Sequence, residues 1–250
     1  MAPPSDAAGR MTDAWRAALL LALALAAFVH FARGGEVGFP PSGWPHGRAR
    51  YYTRAAARIA VLFGATSLLL LGLAGQLWTL ATMPRVFEPV RALTGSVSLA
   101  GSAAWMLGGA ILTGALIGAG AARLTRRRLQ IGRLGAVLPR ERAELGWGLL
   151  LSLVAGVCEE WFFRLLVPLL VTLVSGSPLL GFVAATLLFG AAHRYQGWAG
   201  VIATTLVGAL LGYAYVATAN LWVAVALHVF IDVNALVLRP LLTGHIALRR

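Results

Sequence analysis

The chain has 250 residues, of which 59% are hydrophobic and 12% charged, with a formal net charge of +12. Soluble domains carry roughly 25% charged residues. The composition therefore excludes an ordinary soluble fold and predicts an all-α, polytopic transmembrane bundle, read as one membrane domain over 1–250.

All 21 basic residues are arginines. Nearly all fall in connections between apolar runs, as in a protein whose loops face anionic lipid, which argues against a nucleic-acid partner and makes the lipid bilayer the expected one. The one cysteine, Cys158, excludes an intramolecular disulfide framework and a multi-cysteine metal site. It reads as a small packed apolar residue.

A helix needs about 20 apolar residues to cross the hydrocarbon core. Taken in chain order, the apolar runs predict about seven spans: 14–32, 56–82, 97–121, 145–173, 178–194, 199–218 and 220–238. The first run also has the length of a signal peptide. Cleavage there would leave the following loop outside, against the charge of Arg33, Arg48, Arg50 and Arg54, so a retained span is expected. Residues 34–50 read as a loop, with Trp44, Tyr51 and Tyr52 as an interfacial aromatic anchor. In the long 145–173 run Pro168 is expected to kink or break the helix. Ser175-Gly176-Ser177-Pro178 reads as a tight turn between spans. No internal repeat is visible.

Arginine counting sets the expected orientation in the cell (inner) membrane. With the 123–142 connection in the cytoplasm, fifteen arginines lie on that side; only Arg10, Arg16, Arg85 and Arg91 lie on the other, and Arg58 and Arg164 fall within spans. The expected topology is N-terminus outside and C-terminus cytoplasmic.

Of the nine acidic residues, only Glu159, Glu160 and Asp232 lie beyond Glu144, and all three are set in strongly apolar sequence. A buried carboxylate costs several kcal/mol unless it is paired, protonated or metal-bound. In Glu159-Glu160-x-x-x-Arg164, the i,i+4 spacing pairs Glu160 with Arg164 on one helix face, while Glu159 points about 100° away without a local partner. A lone carboxylate in a low-dielectric cavity can serve as a general base. The bland reading is a structural ion pair with a tolerated second acid. His193 follows Phe189 by four residues, near a span end, where an interfacial histidine is the ordinary reading. His228 and Asp232 are also four apart. The acid can orient the imidazole, both can bind one ion, or the pair can simply stabilise helix packing. Asn234 points to roughly the opposite face. Three spans each offering polar groups in need of partners most simply share one cavity.

In that order, E-E-W-F-F-R at 159–164, F-G-A-A-H at 189–193 and H-V-F-I-D at 228–232 resemble the E-E-x-x-x-R, F-x-x-x-H and H-x-x-x-N/D motifs of the CPBP family of intramembrane endopeptidases. That family includes type II CAAX prenyl proteases and bacteriocin-processing or immunity-related members. The resemblance covers about residues 145–238, the expected catalytic core. It implies peptide-bond hydrolysis in a membrane cavity reached from the cytoplasmic side, on a peptide or membrane-protein substrate. It makes Glu159 the base that activates water and His193 the group that positions the water or a metal. Glu160 and Arg164 would be the supporting pair, and His228 with position 232 would stabilise the oxyanion or complete a metal site. An ionised Asp232 accepts hydrogen bonds only, so the oxyanion role does not transfer directly to it. Glu159, His193, His228 and Asp232 form a possible ligand set for a divalent metal such as zinc; a glutamate protease without metal is the other reading. Two further readings are a catalytically silent scaffold or immunity-type binder of the same fold, and a small transporter using buried acids and histidines. The latter would more often show matched half-repeats with broken helices, which are absent.

Overall fold

A computed structural model describes residues 4–34, 47–98, 137–242 and 246. All regular structure among the described residues is helical. Helix α1 is Pro4–Arg33. Helix α2 (47–73) consists of Gly47–Ile59 and Thr66–Leu73 joined through a π-helical stretch, Ala60–Ala65. Helix α3 is the short Glu88–Thr94. Helix α4 (145–175) joins Leu145–Glu160 and Val167–Ser175 through a second π-helical stretch, Trp161–Leu166. Helices α5 and α6 are Pro178–Ala192 and Trp198–Thr218. Helix α7 (221–242) contains Leu221–Val233, π-helical Asn234–Leu238 and Arg239–Leu242.

Four helical stretches are long and apolar enough to cross a membrane: Ala14–Arg33, Ala49–Leu73, Trp198–Thr218 and Leu221–Leu241. The chain is a membrane protein with a helical bundle, and these four match the first, second, sixth and seventh expected spans. The expected span 97–121 lies almost wholly outside the described residues. The expected 178–194 span is a shorter apolar helix, and at about 1.5 Å per residue its 15 residues reach only about 22 Å. A count of seven is therefore not established.

Two boundaries differ from the sequence reading. The second span was expected over 56–82, but the helix starts earlier and ends at Leu73. Gly75, at a φ of 70°, turns the chain there, and short 3-10 turns follow. Hydropathy alone continues through Leu77-Trp78, which is why the apolar run overshoots the helix. Pro168 does not break α4. It sits at the start of Val167–Ser175, immediately after the π-helical stretch. Proline removes one i→i−4 hydrogen bond and crowds the carbonyl of Arg164; a wider turn just before it accommodates both. The Ser175–Pro178 turn forms as expected. Gly176 is left-handed at a φ of 73°, and the Ser177 hydroxyl accepts from the Leu180 amide at 3.3 Å.

The arginine inside the second span has a local explanation. Arg58 Nη1 donates to the Gly34 carbonyl at 2.9 Å and Nη2 to the Phe31 carbonyl at 3.3 Å, satisfying the end of α1. Helix α4 is the hub of the bundle. Its first half packs on α7 and α2, and its second half on α5 and α1; α6 closes the group between α5 and α7. Phe162 and Phe163, within the first motif, are fully buried against Phe63 of α2, and Phe163 also meets Phe28 of α1. The aromatic residues between Glu160 and Arg164 thus anchor the hub and fix its rotation.

Candidate active site

The rotation of α4 separates the two adjacent glutamates. Glu160 points into the protein and is completely buried. Its Oε2 lies 3.1 Å from Arg164 Nε, and its Oε1 accepts from His228 Nδ1 at 2.6 Å. The expected Glu160–Arg164 pair is therefore present, with a third member from α7. His228 Nε2 is 3.8 Å from Asp232 Oδ2, too far for a hydrogen bond. The partner that fixes the His228 ring is Glu160, where the spacing within α7 had pointed to Asp232.

Arg164 is held from several sides. Its guanidinium carbon lies 4.1 Å from the Phe189 ring centroid, a cation–π contact, and Nη2 approaches the Gly208 carbonyl at 3.5 Å. A side chain at Gly208 would meet Phe189 at 2.9 Å, so α6 can approach this group only with glycine there. Phe189 also stands edge-on to His228, centroids 5.7 Å apart, and beside His193 at 4.8 Å. The phenylalanine of F-x-x-x-H thus forms the wedge between the buried cation and both histidines.

Glu159 turns the other way. Together with His193, His228, Asp232 and Phe189 it lines a cavity of about 600 Å³. Glu160 and Arg164 stand behind that wall. The rest of the lining is largely aliphatic and includes Ile59 of α2, Leu151 and Ala155 of α4, Val207 of α6, and Ile231 and Leu236 of α7. Glu159 Oε2 is buried and has no hydrogen-bond partner among the described residues. His193 caps the end of α5, where its Nδ1 lies 2.8 Å from the Phe189 carbonyl. A carbonyl can only accept, so Nδ1 carries the proton and the neutral ring keeps an acceptor at Nε2. Facing the cavity are thus a carboxylate with an unpartnered oxygen and an imidazole set up to accept, beside His228 and Asp232.

The four residues of the possible metal set all reach this cavity, but among the described residues no three His, Cys, Asp or Glu side chains converge closely enough to hold a metal ion. The arrangement does not fit a three-ligand zinc centre. Cys158 is free and packs against Gly64 of α2, where any side chain would strike its sulfur. It marks a close helix crossing, in line with the packing reading.

Tyr51, expected with Tyr52 as an interfacial anchor, is instead buried, as is Tyr52, and Tyr51 lines the cavity; Tyr195, Gln196, Thr204 and Arg239 also line it and were given no site role by sequence reasoning. Tyr195 and Gln196 follow His193 in His-Arg-Tyr-Gln-Gly, a polar run ending on Gly197 at a φ of 80°. That run was the available signal, since a span ending at an ordinary interface has no need of a positive-φ glycine to turn its polar residues back inward.

A search of curated proteins and one of solved structures found no match. Residues 141–234 match the family described as Type II CAAX prenyl endopeptidase Rce1-like. That stretch takes in all three motifs and, with them, Glu159, His193, His228 and Asp232 on the cavity, so the match supports the resemblance read from the motifs.

Proposed function

We propose that the protein is a membrane-embedded endopeptidase in which Glu159 activates water for attack on a peptide bond. One observation carries this reading: Glu159 is buried at the cavity with an oxygen that has no hydrogen-bond partner among the described residues, while its neighbour Glu160 is held by Arg164 and His228 and the other cavity acid, Asp232, is the more exposed. A structural ion pair accounts for Glu160; it leaves Glu159 unexplained.

In the proposed reaction, Glu159 and His193 Nε2 accept the two protons of a water molecule and leave its lone pair aimed at the scissile carbonyl carbon. Glu159 takes one proton as the C–O bond forms. The tetrahedral intermediate collapses with breakage of the C–N bond, and Glu159 returns the proton to the departing nitrogen. The products are a carboxyl terminus and an amine. His228, with its ring fixed through Nδ1 by Glu160, presents Nε2 to the same cavity. Aliphatic walls favour an apolar segment of a peptide or membrane-protein substrate, and burial strengthens each electrostatic contact.

The test compares the proteomes of membranes carrying wild-type protein and Glu159→Gln. Fragments that appear with wild type and vanish with the variant are expected; cleavage surviving in purified Glu159→Gln protein would sink the mechanism. A scaffold of the same fold would instead give identical fragments and unchanged partner binding in both. We also place the C-terminus in the cytoplasm on the arginine distribution. A C-terminal alkaline phosphatase fusion should be inactive, and an active one would reverse the topology.

A further inference from the structure

The proposed reaction develops negative charge on the carbonyl oxygen, and beyond His228 Nε2 the cavity offers it few donors. Asp232 stands where an asparagine amide could donate, and an ionised carboxylate cannot. Thr204 lines the cavity, but its hydroxyl is directed at the Gly200 carbonyl at 2.9 Å. Arg239 is eleven residues along α7 from His228, about 16 Å at helical rise.

Tyr195 is differently placed. It lines the same cavity, and its ring lies beside that of His193, with centroids 5.9 Å apart and planes inclined by 32°. Its hydroxyl oxygen accepts from Gln196 Nε2 at 3.2 Å, so the oxygen is fixed while its own hydrogen stays available to donate. Burial pushes the phenol above its ordinary range and keeps that proton in place. The support is built in: Gln196 is buried, and a side chain at Gly200 would collide with it.

Resting on the peptidase reading above, we propose that Tyr195 is a catalytic residue, donating its hydroxyl hydrogen to the oxyanion of the tetrahedral intermediate, and that Gln196 is the positioning residue that holds it. No covalent bond to tyrosine forms. The phenol donates a hydrogen bond that strengthens as charge builds on the carbonyl oxygen and relaxes when the C–N bond breaks.

The experiment uses full-length protein in detergent micelles with a pool of apolar, internally quenched peptides as substrate. Removing one oxyanion donor typically costs roughly 10²–10³ in kcat. Tyr195→Phe keeps the ring and should lower kcat by about that factor, with KM and melting temperature unchanged. Gln196→Ala should give a smaller loss, and the double variant should be no worse than Tyr195→Phe. The binding arm compares an apolar phosphinic peptide, whose tetrahedral anion mimics the intermediate, with the amide of the same sequence. Tyr195→Phe should weaken only the phosphinate. Unchanged kcat in Tyr195→Phe, or equal weakening of both probes, overturns the role of Tyr195 and leaves the peptidase reading intact. Wild-type protein that neither cleaves the pool nor prefers the phosphinate overturns both.

Discussion

The same Glu→Gln change at two adjacent positions should lower stability at Glu160 and not at Glu159. Glu160 and Arg164 have side chains 0% and 3% exposed, and His228 leans on the same carboxylate. Neutralising Glu160 leaves the guanidinium buried without its counter-charge, and breaking a buried pair by removing one partner costs about 3–5 kcal/mol. The Phe189 ring and the Gly208 carbonyl still face Arg164, and glutamine can still hydrogen-bond, so the lower end, about 3 kcal/mol, applies. At roughly 2–4 °C per kcal/mol for a chain of this size, the melting temperature should fall by about 6–12 °C. Glu159 has no such partner, and Oε2 is buried without a hydrogen bond among the described residues. Replacing that carboxylate by an amide removes a charge whose burial is unfavourable, so the melting temperature should stay level or rise. Both variants should lose activity. The assay is thermal unfolding in detergent micelles, followed by the fluorescence of the eight tryptophans. Equal falls for the two variants, or a larger fall for Glu159→Gln, would refute the division of roles.

Three further outcomes follow from the geometry. A methyl at Gly156 would run into Val229, including its backbone nitrogen at 2.9 Å. Gly156→Ala should therefore push α4 and α7 apart, cost about 1–3 kcal/mol in thermal unfolding and reduce activity by displacing His228. Because no metal-ligating group converges among the described residues, peptidase activity should survive exhaustive chelation, with metal content checked by mass spectrometry; loss of activity restored by zinc would reverse that expectation. Asp232 stands 3.8 Å from His228, and its side chain is 29% exposed. Asp232→Asn should accordingly leave the melting temperature unchanged and, by supplying an amide donor, recover part of the activity lost in Tyr195→Phe; no recovery would place position 232 away from the oxyanion.

The apolar runs made most of the helices legible, because a membrane helix must satisfy its backbone internally and so announces itself by length and hydropathy. Gly176, Ser177 and Pro178 made one turn legible for equally local reasons. The Glu160–Arg164 pair was readable because helical spacing alone brings those side chains together. What failed to show were features set by neighbours. Hydropathy cannot tell Leu77-Trp78 in a 3-10 turn from the same residues in a helix. The π-helical stretches leave no signature in apolar periodicity. The hydrogen bond from His228 to Glu160 spans 68 positions, and spacing within α7 offered Asp232 in its place. Tyr195 and Gln196 belong to the short polar run after His193, and only the cavity gives them a direction.

The division between the two glutamates rests on one helix. Adjacent residues on α4 face about 100° apart, and Phe162 and Phe163, buried against α1 and α2, prevent the helix from rolling. The rotation that sends Glu160 into the protein therefore sends Glu159 into the cavity. The acid inside is neutralised by Arg164, which in turn is covered by Phe189. Phe189 sits four residues before His193 and accepts that histidine's Nδ1 proton on its own carbonyl. A single chain of contacts thus runs from the buried ion pair to the histidine that would hold the water. On this argument the ion pair serves chemistry by position: its proposed effect on catalysis passes through the orientation of His228 and His193, and it leaves Glu159, the more buried of the two acids on the cavity, as the proposed base.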